Sequence, residues 1–205
     1  IVHGAADPGL APRTIERGRR IGLSSEPGWH WLLGARQLKY GEEARALASA
    51  DTLELLADSL RAASDSLGAV RAHGLALGLR GLAAERRGDH RRAVELLRAA
   101  IPASGYRPGA MVIVDEQQMG LANALLELGE EEEALRILDS GFYTDFYYDA
   151  PAALARAQIY ERRGEREKAI RAYSRVVTLW SDCDPELRPQ RELAERALTR
   201  LVGEG

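Results

Sequence analysis

A single cysteine, Cys183, stands in 205 residues. No internal disulfide can form, and a reducing, cytoplasmic compartment fits that composition. Lysine is nearly missing, with Lys39 and Lys168 the only two, so arginine carries the positive charge. The formal net charge of −3 leaves no basic footprint for nucleic acid. No apolar run approaches the ~20 residues that cross a bilayer, so no membrane partner is expected.

Signatures of catalysis are also missing. There is no Gly-x-Ser-x-Gly elbow and no phosphate-cradling Gly-Lys-Ser/Thr segment. His3, His30, His73 and His90 are scattered without paired spacing, which argues against a metal site or cofactor. Asp182 and Asp184 flank Cys183 but lack the spaced oxygen ligands of a calcium loop, and read as helix caps. The chain is therefore expected to be non-catalytic. It opens on Ile1, and "IVHGAADPGLAP" lacks the layout of a signal peptide. The expectation is a piece of a longer protein, with residues 1–27 a partial helix or linker and 28–205 the domain.

What is present is repetition. "GEEARA", "GDHRRA", "GEEEEA" and "GEREKA" begin at Gly41, Gly88, Gly129 and Gly164. Each is a glycine, an acid, three mostly polar residues and an alanine. The alanines, Ala46, Ala93, Ala134 and Ala169, lie 47, 41 and 35 residues apart, approaching the roughly 34-residue period of a two-helix repeat. Glycine stops a helix by accepting the left-handed conformation. The acid then suits the amide-rich start of the next helix. Gly34, Gly81, Ala122 and Ala157 each stand twelve residues before the shared alanine, where two helices would cross closely. Leu97, Leu138 and Tyr173 follow as the large residues that fill space toward the next pair.

These registers resemble tetratricopeptide-repeat proteins over roughly residues 28 to 202. The first copy departs from the pattern, with Gln37 in place of an aromatic and Ala50 in place of a large residue. The resemblance implies an all-α, right-handed superhelical solenoid of about four helical hairpins with flanking helices. The longer intervals are read as insertions. One is an extended second helix starting at Asp51. The other is a Pro- and Gly-rich loop, "IPASGYRPGAMVIVD", with a β-prone run at Met111 to Val114. A closing helix follows "SDCDPEL", capped by Asp184 with Pro185 in its first turn.

The family resemblance also implies a concave groove lined by the first helix of each repeat. Its candidates are Trp31, Ala35, Glu116, Met119, Asn123, Leu154, Gln158 and Arg162, with Glu127 and Glu161 nearby. In several members of the family an asparagine at the place of Asn123 holds the backbone of an extended peptide. The competing reading is an amide solvated or satisfied by a neighbour. Lysines that clamp a carboxylate in chaperone-binding members are absent here.

"GFYTDFYYDAP", residues 141–151, holds five aromatics in seven residues. It reads as a connector ending where Asp149 opens the next helix. Phe142 and Phe146 are expected to pack, while Tyr143 and Tyr147 are candidates to face a ligand and some tyrosine hydroxyls stay at the surface.

The function that follows is a protein- or peptide-binding scaffold, resembling the interaction and regulatory regions of larger bacterial proteins. A small-ligand sensor built on the same groove is the alternative. Self-association through an exposed apolar face is a third use.

Overall fold

Four times the chain runs helix, glycine, acid, helix, and each time the reversal has one geometry. In the computed structural model, which describes residues 26–105, 111–142 and 145–203, Gly41, Gly88, Gly129 and Gly164 have φ of 74°, 79°, 78° and 70°. A Cβ is penalised in this region, so glycine closes the turn without strain. The following acid donates its amide five residues back. Glu42 bonds Gln37, Asp89 bonds Ala84, Glu130 bonds Leu125 and Glu165 bonds Tyr160, at 2.8–2.9 Å. The glycine amide closes a second, tighter ring on the residue three back. Together they satisfy carbonyls that a helix end otherwise leaves orphaned.

The described residues form nine α-helices and no strand. They are α1 (Glu26–Lys39), α2 (Glu43–Ala62), α3 (Ser66–Arg86), α4 (His90–Ser104), α5 (Met111–Glu127), α6 (Glu131–Asp139), α7 (Asp145–Arg162), α8 (Arg166–Leu179) and α9 (Arg188–Gly203). No helix among them is long and apolar enough to cross a membrane.

A fifth turn of the same kind carries no glycine. Ser64 adopts φ 63°, and the Asp65 amide reaches the Leu60 carbonyl at 2.9 Å. This turn overturns the expected helix start at Asp51, which lies inside α2. The cap is Asp65, whose carboxylate accepts from the Gly68 amide at 2.9 Å and opens α3.

Other local readings are corrected too. Met111 to Val114 is the first turn of α5 rather than a strand-like run, because burial of Ile113 and Val114 outweighs the preference of β-branched residues. Helix α4 continues through Pro102 to Ser104, shortening the loop expected there. Asp184 makes no side-chain cap; Pro185–Leu187 forms a 3-10 turn and α9 starts at Arg188.

Contacts gather into two units, dividing between Glu130 and Glu131. In the first, α1 to α5 each pack on their sequence neighbours, and α1 also meets α3 as α3 meets α5. In the second, α6 packs on α7, α7 on α8 and α8 on α9. Ala46, Ala93, Ala134 and Ala169 have no exposure at all. A Cβ added to Gly34 would lie 2.5 Å from Leu79, and one at Gly81 would lie 2.7 Å from Leu97. The small residues seen in the sequence therefore mark crossings that exclude a larger side chain. Leu97, Leu138 and Tyr173 are buried as expected. Tyr173 joins Ala153, Ala157, Val176, Trp180, Ala194 and Leu201 in the core of the second unit.

Gln37, the misfit of the first copy, is buried and accepts a hydrogen bond from Ser49 Oγ at 3.0 Å. Gln117 and Ser104 form a second buried amide–hydroxyl pair at 3.1 Å.

Because Ser64 holds a left-handed backbone with a Cβ, Ser64→Gly should raise unfolding free energy by about 0.5–1 kcal/mol. Denaturant titration measures it. A loss of stability would show that the serine is not strained.

Candidate functional site

The groove candidates of the first unit separate by burial. Trp31 is fully buried, with an indole Nε1–H that meets no acceptor among the described residues, and Ala35 is 3% exposed. Both belong to the core and are removed from the candidate surface. Their helix α1 packs on α2 and α3 together, so the face assigned to the groove is covered. Glu116, Met119 and Asn123 behave differently. They lie three and four residues apart on α5 and share one half-buried helix face. Their neighbours Asp115 and Gln117, off that face, are wholly buried.

A residue that the sequence did not single out belongs beside them. Glu85, near the end of α3, is half-buried, and its carboxyl is pushed above the ordinary carboxylate range. Loss of water is the main cause, Arg86 and His90 oppose it, and the like charges of Glu116 and Glu127 add to it. Arg86 meanwhile donates to the Leu38 carbonyl at 2.8 Å. Only its place one helix away, across the α3–α5 packing, ties Glu85 to Glu116, so no spacing rule finds it.

In the second unit, Tyr147, Leu154, Gln158 and Arg162 recur along α7. Tyr147 is 41% exposed. Leu154 is partly buried against the core of that unit, and Gln158 is half-buried. Arg162 is exposed but already bound. It and Arg163 both reach Glu131 of α6, at 2.7 and 3.1 Å, which hold that carboxyl below its ordinary range. Glu161 is likewise held low, by Arg200 of α9 and by the Tyr173 hydroxyl at 2.6 Å. Arg162 and Glu161 thus tie helices together, and neither is offered freely to a ligand.

The aromatic stretch is shorter as a connector than the sequence implied. Helix α7 begins at Asp145, so Asp149 and Pro151 lie inside it. Gly141, at φ 84°, follows the end of α6. Phe142 is buried and stacks on buried Tyr148, centroids 5.6 Å apart and planes 22° apart. Tyr143 and the Phe146 side chain lie outside the described residues. Packing therefore accounts for Phe142 and Tyr148, and Tyr147 keeps a surface position. Among the described residues no cluster of histidine, cysteine and carboxylates has metal-site geometry.

Phe142→Ala should lower stability by about 3 kcal/mol, read by denaturant unfolding. Glu85 carries the opposite sign to Glu131 and Glu161. Its raised folded pKa means that its contribution is fully present below the unfolded value and is lost as pH rises through the folded value. Glu85→Gln should accordingly melt higher than the parent at pH 7, with the gap closing as pH falls into the ordinary carboxylate range. Parallel melts across pH check this. Compared with known proteins, the chain matches no family model, no curated protein and no solved structure.

Proposed function

We propose that this chain is a non-catalytic, tetratricopeptide-like scaffold that binds an extended protein or peptide segment, as an interaction module of a larger cytoplasmic bacterial regulator. The observation that carries the reading is the half-buried face of α5, where Glu116, Met119 and Asn123 line up next to Glu85 of α3. A face that mixes an amide, a flexible thioether and carboxylates suits a peptide backbone with its side chains better than a purely apolar ligand. The helical-repeat part rests on the shared turn and on the small-residue crossings. It also rests on first helices meeting one another, α1 with α3 and α3 with α5, as stacked hairpins require.

Glu85 gives the reading a physical motive. A carboxylate that resists its own burial weakens the fold, and such residues are retained where a partner needs them. A peptide that brings a cation or an amide to this face would relieve the strain.

The experiment is selection from a random peptide library displayed on phage, with the 205-residue chain as bait. Enriched peptides should bind the parent, and Asn123→Ala should weaken them at least tenfold by calorimetry while the melting temperature stays within about a degree. Unchanged affinity would remove Asn123 from the site. Failure of any peptide to enrich would sink the peptide reading and turn attention to small ligands by thermal-shift screening.

A further inference from the structure

The second unit holds a cleft that the groove reading does not use. It lies along α7 and α8 at the end of α6, with a volume of about 300 Å³. Ala153 and Ala172 form small-residue parts of its lining, while Arg156, Lys168, Arg171, Arg175 and Tyr160 rise around them. Helix periodicity explains the grouping. Lys168, Arg171, Ala172 and Arg175 recur at three- and four-residue steps on α8, and Arg156 and Tyr160 are one turn apart on α7.

The lining side chains of the cleft carry charge opposite in sign to that of the chain. The whole sequence is net negative at −3, yet four cationic side chains line this cleft against one lining carboxylate, Asp139. Asp149 adds a second carboxylate. It accepts from Arg175 Nε at 2.9 Å and lies 3.9 Å from Arg156. Glu165 and Glu167, outside the lining, pair with the remaining two cations, so four cations are balanced by four carboxylates until those two pairs open.

Two of the cations are fixed in place. Arg156 donates to the Leu138 carbonyl at 2.8 Å, at the end of α6, and Arg175 is held by both oxygens of Asp149. The other two form their ion pairs, among the described residues, with carboxylates outside the lining. Glu165 meets Lys168 at 2.5 Å and Glu167 meets Arg171 at 3.8 Å, each within one turn of the same helix end. Glu167 is 89% exposed and Arg171 is 68% exposed. Exposed pairs of this kind contribute little and exchange readily with another anion. Lys168 also sits 5.3 Å from the centre of the Tyr160 ring, which provides a flat wall beside the ammonium.

We propose that this cleft is a binding site for a phosphoryl group. A phosphate monoester carries about −1.5 to −2 at neutral pH, more than the single carboxylate that each of Lys168 and Arg171 now meets, and offers three acceptor oxygens. Guanidinium forks and an ammonium are the donors that suit it. Arg156 and Arg175 supply a preset wall, and Lys168 and Arg171 swing from Glu165 and Glu167 onto the ligand.

The test titrates the chain with inorganic pyrophosphate and, separately, with a phosphoserine peptide, at ionic strength held constant with chloride. Amide shifts of Ala153 and Ala172 should move and saturate. The double substitution Lys168→Gln with Arg171→Gln should weaken binding at least tenfold without changing the melt. Glu167→Gln should tighten it, because it removes a competing carboxylate. Saturation by pyrophosphate points to a free phosphate compound as the source, and saturation by the peptide alone points to a phosphorylated partner. If neither saturates, or if chloride gives the same shifts, the proposal fails.

Discussion

Helix α3 is approached by four other helices, and its glycines set how near they come. A Cβ at Gly74 would lie 2.6 Å from Ala103 of α4, and one at Gly81 would press on Leu97 of the same helix. Gly78 leaves room for the Gln117 amide of α5. Glycine inside a helix is unfavourable by about 1 kcal/mol relative to alanine, so α3 is intrinsically a poor helix. It persists because α1, α2, α4 and α5 all bury part of it. The first unit therefore depends on contacts that only assembly provides, and α3 is where neighbouring hairpins acquire a common core.

Electrostatics follow the same division between tying and exposing. Where an arginine from another helix reaches a carboxylate, as at Glu131 and Glu161, the negative charge becomes a fastener. Its contribution is present above the unfolded carboxylate pKa and fades as pH drops through the lowered folded value. Among the described residues no arginine of another helix bonds Glu85, and its loss of water outweighs the pull of Arg86 and His90. The chain thus spends part of its stability at one end of α3 while tightening the helices of the second unit.

Much of this organisation is legible in the residues. Glycine at a positive φ and alanine at a tight crossing are local demands, so Gly41 to Gly164 and Ala46 to Ala169 declare themselves. Ser64 does not, because a serine in the same turn looks like any helix residue, and the break between α2 and α3 goes unseen. The site is less legible. Whether Trp31 faces a groove or a core depends on what covers its helix, and helix phase cannot tell those apart. Asn123 kept its place on a half-buried face, whereas Arg162 turned out to be engaged by Glu131. Glu85 became visible only when distant segments were brought together.

The two buried amide–hydroxyl pairs have a consequence for how the chain finds its arrangement. Five turns share one geometry, and apolar faces discriminate weakly between one docking register and the next. Gln37 with Ser49, and Gln117 with Ser104, are different. An amide shifted by one turn from its hydroxyl would be stranded in an apolar interior at a penalty of roughly 1–3 kcal/mol. Each pair therefore works as a proofreading mark. It adds little to the correct arrangement but makes docking out of step expensive, so neighbouring helices are held to one register.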